Sequence, residues 1–452
     1  MRIKLPFPIE SKDLAAALEI PEPTDASPVH VICTDSRLVE KGDLFVALRG
    51  QREDGHDHVS EARARGARLL TEQASPHATV VPNTRLALSK LAEISLKRHR
   101  VPIVAITGSV GKTGTKDAVA AALSAGFCVH KTRENLNNDL GVAFTVLSRP
   151  RECEILVLEL GSDRLGEIAA HSRLVRPNVA IVTAIGSAHI GEFGSIENTL
   201  REKTDITAGM RDGLLFLNAD DPHLRTFSPG IPKKTVGIHF PADYRAEQPR
   251  LSLHGSAYTL TAQKAAYPIR LDATGYPRIY ASLFALGVAD CFGLPIEKAA
   301  DALLRGEYAG GRQSVEEIGE ILLIDDSYNA SPESVKAGLH LLSTVSDRKR
   351  IAVLGDMLQL GEYSRALHRE VGSFAAGCCD ELISFGQFAE EIANGAKEGG
   401  MPQECMYLSA DTDACIAYLL DTPLQKSAIL IKASHALGGN RIAEAIRRGA
   451  LK

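Results

Sequence analysis

The segment AITGSVGKTGTK, residues 105–116, carries the clearest chemical signal in this 452-residue sequence. Its glycines let backbone N–H groups converge on phosphate oxygens, and a helix starting near Lys112 would add partial positive charge. Lys112 would reach the terminal phosphates, and the Thr113 hydroxyl would be available to Mg²⁺. A glycine turn with a surface lysine is the alternative, but a buried strand before the loop and a helix after it favour an ATP or GTP site.

Two further apolar strands should bring polar side chains to the same edge of a sheet. The run ILVLEL, residues 155–160, contains Glu159 near its end, and the strand at 179–184 leads into a segment that contains His189. Ligands gather outside the carboxyl ends of parallel strands, so both residues could approach a metal ion held by Thr113. Each residue alone is more often structural, as a cap, an ion pair or a satisfied polar group.

The elements that must position these side chains alternate between strands and helices. Ser331 followed by Pro332 predicts the start of one helix. Strands are predicted at 29–32, 44–48, 103–106, 155–160, 179–184, 322–324, 351–354, 382–385 and 429–432, with antiparallel strands between 236 and 274. This pattern predicts an α/β protein of three domains. They are a small mixed α/β domain at 1–98, a central P-loop ATPase-like domain with a mostly parallel sheet at 99–311, and a Rossmann-like α/β domain at 312–452.

The composition excludes several classes of protein. Hydrophobic residues make up 44% and charged residues 24%, which indicates a folded chain. Lys and Arg number 51 against 56 Asp and Glu, and this balance argues against a nucleic-acid binder. The first residues lack the apolar core of a secretion signal, and no run of about 18 apolar residues could span a membrane. The eight cysteines show no zinc-site spacing, so we expect reduced thiols and a cytoplasmic protein.

Several motifs, in one order, resemble the ATP-binding domain of the Mur ligases, which are ATP-dependent amide-forming enzymes that build the peptide of the peptidoglycan precursor. They are TGSVGKTGTK (107–116), ENLNNDLGV (134–142), LELGSDRLGEI (158–168), GSAHIGEFGS (186–195) and EKTDI (202–206). The segment 34–67 is similar to the UDP-binding domain of the later-acting members. The segments 325–339, 354–362 and 368–372 resemble most closely the members that add D-alanyl-D-alanine.

The resemblance implies roles at the nucleotide and at the metal. ATP would be bound by Gly108, Ser109, Gly111, Lys112, Thr113, Arg312 and Asp326. Two Mg²⁺ ions would be held by Thr113, Glu159, His189 and Lys203, the last carbamoylated by CO₂ so that it carries a negative charge. Without the resemblance, Lys203 beside Glu202 and Asp205 would be interpreted as a solvated lysine.

The resemblance also implies the reaction and its substrates. ATP would phosphorylate the carboxylate of UDP-N-acetylmuramoyl-tripeptide, and the amine of D-alanyl-D-alanine would attack the acyl phosphate, with His189 or Asp356 as base. The first domain would hold the UDP substrate, the second ATP and the third the amine, in a monomer. The catalytic residues would be Lys112, His189, Lys203 and Asn138, and the substrate-binding residues Asp35, Ser36, Arg37, Asn137, Tyr328, Asn329 and Asp356.

The sequence departs from the family pattern at several positions, which keeps alternatives open. The departures are Gly114 in place of a hydroxyl residue, Ala143 in place of proline, Pro277-Arg278 and Ala281 in place of His-Asn and Asn, and His435 in place of arginine. A related ligase that adds diaminopimelate or lysine, a folylpolyglutamate-like enzyme or a divergent paralogue is the second hypothesis. A nucleotide-dependent switch without ligase activity is the third. The segment 34–67 favours a UDP-sugar over a folate, and the joint presence of Lys112, Glu159, His189 and Lys203 favours an enzyme.

Overall fold

Three β-sheets follow one another along the chain, each packed against helices. The computed structural model describes residues 1–22, 26–50, 53–253, 255–306 and 313–449. The N-terminal elements are β1 (Arg2–Ile9), α1 (Ser11–Leu18), β2 (Val29–Cys33), β3 (Leu44–Val46), α2 (Val59–Ala64), β4 (Arg68–Thr71), β5 (Ala78–Val80) and α3 (Thr84–Arg98). Their sheet has the order β1-β2-β3-β4-β5, in which only the β1–β2 pair is antiparallel.

The central sheet has nine strands, and seven neighbouring strands form a continuous parallel block. Its elements are β6 (Ile103–Thr107), α4 (Lys112–Leu123), β7 (Val129–Lys131), α5 (Asp139–Leu147), β8 (Ile155–Glu159), α6 (Glu167–Val175), β9 (Val179–Val182), α7 (Ile190–Phe193), α8 (Ile196–Thr204), β10 (Leu214–Asn218), α9 (Pro222–Thr226), β11 (Lys233–Gly237), β12 (Tyr244–Ser252), β13 (Gly255–Ala262), β14 (Ala265–Leu271), α10 (Tyr276–Cys291) and α11 (Ile296–Leu304). The order is β14-β13-β12-β11-β10-β9-β6-β8-β7, with β13 antiparallel to both of its neighbours. Strand β6, which leads into the glycine loop, therefore lies inside the parallel part of the sheet.

The C-terminal sheet has six strands in the order β15-β16-β20-β17-β18-β19, and only β15 is antiparallel to its neighbour. Its elements are β15 (Ser314–Ile318), β16 (Ile321–Asp325), α12 (Pro332–Ser343), β17 (Lys349–Gly355), α13 (Ser364–Ala376), β18 (Glu381–Phe385), α14 (Ala389–Glu398), β19 (Met406–Ser409), α15 (Thr412–Asp421), β20 (Ser427–Lys432) and α16 (Gly439–Gly449). Helix α12 begins where the sequence predicts, and Ser331 and Ser334 cap it reciprocally.

The predicted fold class is confirmed: a small mixed N-terminal domain, a mostly parallel central sheet and a C-terminal α/β domain. Three strands are shorter than predicted: those at 44–48, 155–160 and 179–184 end at Val46, Glu159 and Val182. The run at 179–184 leaves the sheet after Val182, because the carbonyl of Ala184 accepts a hydrogen bond from Ser109 N at 2.8 Å instead. The end of this strand is therefore used to hold the glycine loop.

The hydrophobic core crosses the predicted boundary near residue 98. One cluster of buried side chains includes Leu5 and Leu88 from the N-terminal domain together with Phe144 and Leu158 from the central domain. Two further apolar clusters pack against the C-terminal sheet, and one of them includes Ile190 of the central domain. Within the described ranges, no helix has both the length and the apolar character needed to cross a bilayer.

Candidate active site

The glycine loop after β6 is a tight turn that only glycine can form at two points. Gly108 and Gly111 have φ of 144° and 82°, and a Cβ at Gly108 would overlap the Thr183 hydroxyl. Helix α4 then begins at Lys112, so its first backbone N–H groups point at the loop. The Lys112 ammonium donates to the carbonyls of Gly108 at 2.7 Å and Ser109 at 3.2 Å. The loop thus holds the Lys112 ammonium against its own backbone, next to the place where a phosphate would bind.

A buried carboxylate lies directly behind the loop. Glu159 ends strand β8 and is 2% exposed. Its Oε2 accepts a hydrogen bond from the Thr113 hydroxyl at 2.7 Å, and its Oε1 accepts one from Asn137 Nδ2 at 2.8 Å. A carboxylate beside a hydroxyl offers the hard oxygen ligands that Mg²⁺ prefers.

His189 lies on a segment held in a left-handed conformation, with φ of 60°. Its Nδ1 is 3.3 Å from Asp163 Oδ1 but has no hydrogen-bond partner among the described residues. Burial, and after it the charges of Lys112 and Lys203, lower the pKa of His189 to about 4. The ring is therefore neutral at physiological pH and available as a ligand or as a proton acceptor.

Lys203 is almost completely buried, at 1% exposed, so the interpretation as a solvated lysine is wrong. Helix α8 carries it, and its Nζ donates to the Ser162 hydroxyl at 2.7 Å and lies 4.9 Å from the Phe193 ring centre. It forms no ion pair with any carboxylate of the described residues. Burial, and then the charge of Lys112, lower its pKa to about 7, so a large fraction of the amine is neutral and nucleophilic at neutral pH.

These residues fit a magnesium site that is completed by phosphate oxygens. In the described parts of the chain, no three His, Cys, Asp or Glu side chains converge as a dedicated metal cage. Mg²⁺ needs no such cage, because it is commonly held by one or two carboxylates together with substrate phosphates and water. Thr113, Glu159 and the unpartnered His189 nitrogen offer that smaller set.

A cavity of about 830 Å³ opens between the central and C-terminal domains. Its walls include many of the residues singled out from the sequence: Ser109, Gly111, Lys112, Thr113, Asn137, Asn138, His189, Asp326, Tyr328 and Asn329. Gly108, Glu159 and Lys203 are not on its surface but hydrogen-bond to residues that are. Asn138 uses its amide oxygen to cap helix α5 through Gly141 N at 2.9 Å, which leaves its NH₂ group for a ligand.

Some predicted site residues lie elsewhere. Asp35, Ser36 and Arg37 lie in the N-terminal domain and take no part in the cavity wall; Asp35 pairs with Arg37, and the Ser36 hydroxyl donates to Glu61. The Asp356 carboxylate is also absent from the wall. It accepts hydrogen bonds from the backbone N–H groups of Gln387 and Phe388, both at 2.8 Å, so it organises the turn after β18. Arg312 lies outside the described residues.

The structure adds residues for which the sequence reasoning found no role. Lys432, 2% exposed, pairs with Asp326 Oδ2 at 2.7 Å and donates to the Asn329 carbonyl at 2.9 Å. Its position at the end of the apolar run ILIK was the available signal. Glu333 reaches from α12 across to the central domain, and nothing local in the sequence indicates that contact.

Two of the departures from the family pattern lie next to each other. Arg278 lies in the first turn of α10 and on the cavity wall, and its Nη1 is 3.9 Å from the point where a Cβ on Gly114 would stand. Gly114 is the third residue of α4, so the guanidinium lies beside the first turn of the helix that carries Lys112. His435 has its ring centre 5.5 Å from that of Tyr328 on the C-terminal side of the cavity.

The fold and the site together define a class: a nucleotide-binding α/β protein with a phosphate loop facing a cavity between two domains. Family models match along the chain, namely the Mur ligase middle domain at 106–289, the Mur ligase glutamate ligase domain at 311–435 and the Mur ligase family catalytic domain at 28–137.

Similar proteins extend over most of the chain. The UDP-N-acetylmuramoyl-tripeptide--D-alanyl-D-alanine ligase of Bacillus subtilis is 34% identical, over 81% of this chain and 82% of that protein. A crystal structure of MurF from Acinetobacter baumannii superposes with a TM-score of 0.90 at 28% identity, covering 99% of this chain and 100% of the other. MurF from Thermotoga maritima in complex with ADP gives a TM-score of 0.85 at 28% identity, covering 93% and 97%. The chain belongs to the Mur ligase family.

Proposed function

We propose that this chain is the ATP-dependent, ADP-forming ligase that adds D-alanyl-D-alanine to UDP-N-acetylmuramoyl-tripeptide in peptidoglycan precursor synthesis. The observation that carries the proposal is likeness along nearly the whole chain to ligases named for that reaction, at 34% identity to one of them. The cavity supports it independently, because a phosphate loop lies on its wall and the buried Glu159 and Lys203 hydrogen-bond to residues of that wall.

The residues of the chain would act on ATP mainly through charge and position. A carboxylate is a poor acyl donor, and phosphorylation by ATP turns it into an acyl phosphate that an amine can attack. Phosphoryl transfer needs its charge stabilised more than it needs covalent help, and Lys112 with the N-terminal N–H groups of α4 would supply that at the phosphates. Mg²⁺, when bound, would neutralise further phosphate charge.

We propose that Thr113 and Glu159 hold one Mg²⁺ and that His189 serves a second, together with Lys203 as its carbamate. Only the neutral form of an amine attacks CO₂, and a pKa of about 7 leaves Lys203 neutral often enough to react. The carbamate is an anion, so it suits a cation site that an ammonium would oppose. Of the two candidate bases, His189 is on the cavity wall and is neutral, whereas the Asp356 carboxylate is bound by backbone N–H groups.

We propose that each domain binds a different substrate. The N-terminal domain, with Asp35, Ser36 and Arg37, would hold the UDP group, and the C-terminal domain, with Tyr328 and Asn329, would receive the amine. The chain would work as a monomer. An enzyme that consumes ATP and a nucleotide-linked precursor would act in the cytoplasm.

The purified chain should release phosphate from ATP when given UDP-N-acetylmuramoyl-tripeptide and D-alanyl-D-alanine, and the product should have the mass of the pentapeptide. Phosphate release should stay at background with diaminopimelate, lysine or glutamate as the amine, and when the tripeptide is left out. Release with diaminopimelate or lysine but not with the dipeptide would favour the related ligases. Tight ATP binding without phosphate release in any mixture would favour the nucleotide switch.

Arg278→Ala should raise the KM for ATP roughly tenfold while changing kcat little, because a charged hydrogen bond contributes about 1.5 kcal/mol or more. The guanidinium lies beside the first turn of α4, where it would meet the nucleotide in the ground state and in the transition state alike. Steady-state kinetics with varied ATP would measure this. Arg270→Ala, on the exposed face of β14, is the matched control, and equal KM values in the two variants would refute a nucleotide contact.

A further inference from the structure

One segment of the central domain is held by the C-terminal domain along its whole length. This bridging segment, residues 186–194, follows strand β9 and contains His189. Gly191 N donates to the Gln359 carbonyl at 3.1 Å, and the Tyr363 hydroxyl donates to the Gly194 carbonyl at 3.2 Å. The backbones of Gly191 and Gly361 lie so close that a Cβ on Gly191 would come within 2.5 Å of Gly361 N.

Glu333 makes the contact nearest to the phosphate loop. From the first turn of α12, its Oε1 accepts hydrogen bonds from Ser187 N at 2.7 Å and from the Ser187 hydroxyl at 2.8 Å. A Cβ on Gly186 would stand 2.6 Å from the carboxyl carbon, so only glycine allows this approach. The other oxygen, Oε2, is buried and has no hydrogen-bond partner among the described residues. Glu333 thus places a carboxylate at the junction of the two domains, where its hydrogen bonds go to Ser187 of the bridging segment.

The opposite side of the bridging segment holds the phosphate loop. Gly186 N donates to the Ser109 hydroxyl at 2.9 Å, and that hydroxyl in turn donates to the Gly186 carbonyl at 3.2 Å. Ser109 N is bound to the Ala184 carbonyl just before the segment. Hydrogen bonds therefore link Glu333 to Ser187 and Gly186 to Ser109, and the peptide bond between Gly186 and Ser187 joins the two contacts. The same segment contains His189.

We propose that Glu333 is a positioning residue that makes the geometry of the phosphate loop and of His189 depend on contact with the C-terminal domain. This role deepens the proposed function and rests on it. When the two domains are in contact, Glu333 holds Ser187, and the segment holds Ser109 and His189 in the arrangement seen here. When the contact is lost, the segment loses its acceptor at Ser187, and the loop loses the support on which transfer of phosphate depends.

Glu333→Ala should lower kcat by roughly tenfold to 100-fold, because small displacements of a reacting group are costly. It should also weaken binding of a non-hydrolysable ATP analogue, measured without peptide substrates, by threefold or more, while the KM for the UDP substrate stays unchanged. Glu333→Gln keeps an acceptor oxygen for Ser187 and should recover most of both losses. Glu370→Ala, which removes an equal charge from an exposed position of the same domain, should behave as the parent chain.

If Glu333→Ala binds the ATP analogue and turns over as the parent chain does, the proposal is wrong. It is also wrong if Glu333→Gln is as impaired as Glu333→Ala. Should Glu333→Ala fail to fold, Ser187→Ala removes one of the same two hydrogen bonds from the other side and should give a smaller loss in the same direction. A Ser187→Ala variant identical to the parent would then count against the relay. Analogue binding needs no ligase activity, so failure of the proposed reaction with D-alanyl-D-alanine would show separately in the amine panel.

Discussion

Lys112→Ala is expected to reduce ATP-dependent ligation by roughly 10³-fold, the size of effect seen when one preorganised charge-stabilising group is removed. The Lys112 ammonium is held against the loop by the carbonyls of Gly108 and Ser109, so its positive charge already lies at the proposed phosphate site. Alanine leaves the helix and the glycine turn intact but removes the positive charge. Initial rates of ADP formation at saturating substrates would measure the loss.

The control for this variant is Lys397→Ala, which removes an exposed lysine near the end of α14. It should retain the activity of the parent chain, and the unfolding temperatures of both variants would show whether the loss of activity reflects a loss of stability. A Lys112→Ala variant within threefold of the parent activity would refute a phosphate role for the loop.

Lys203→Ala is expected to lower turnover by at least about 10²-fold, and small carboxylates such as formate or acetate should restore part of it. The physical reason is that a buried carbamate would supply a negative charge, and a small acid that enters the vacated space can supply the same charge. Lys203→Arg is the matched control, because it keeps the positive charge but forms no stable carbamate, and it should be as inactive as the alanine variant. Full activity in Lys203→Arg would exclude the carbamate.

The same residue predicts a dependence on pH and on bicarbonate. The folded-state pKa of Lys203 is lowered from 10.5 to about 7, so the protonated and unreactive form of the amine becomes more populated as the pH falls from 8 to 6. Activity should therefore fall as the pH drops through about 7, and the bicarbonate concentration that gives half-maximal activity should rise. Assays in CO₂-depleted buffer at both pH values would test this, and indifference to bicarbonate at both would contradict it.

Local patterns in the sequence predicted the half of the site that is built from consecutive residues. The glycine loop and the start of α4 depend on neighbouring residues only, and Glu159 follows from its place near the end of an apolar strand. The parallel order of β6, β8 and β9 then brings these strand ends together. The order of strand, loop and helix in the sequence was therefore sufficient to predict that the glycine loop and Glu159 lie close together.

The residues that close the site come from long-range contacts and could not be predicted in this way. Lys203 and Ser162 are 41 residues apart, and Glu333 and Ser187 are 146 apart. Charged side chains on a short helix indicate a solvated face, and only the packing of α8 against Ser162 and Phe193 buries the lysine. Without the family resemblance, physical reasoning on the sequence would have assigned Lys203 to the surface.

The core shared by the first two domains limits how freely parts of this enzyme can be exchanged. Phe7 stacks on His99 with ring centres 3.9 Å apart, the Arg149 guanidinium lies over Phe7, and Arg85 pairs with Asp139 through two hydrogen bonds of 2.8 and 2.9 Å. An N-terminal domain grafted from a relative would meet a partner surface shaped for another sequence. Substrate preference therefore cannot be changed by exchanging the N-terminal domain alone. A functional chimaera would also have to include the surface of α5 that contacts this domain.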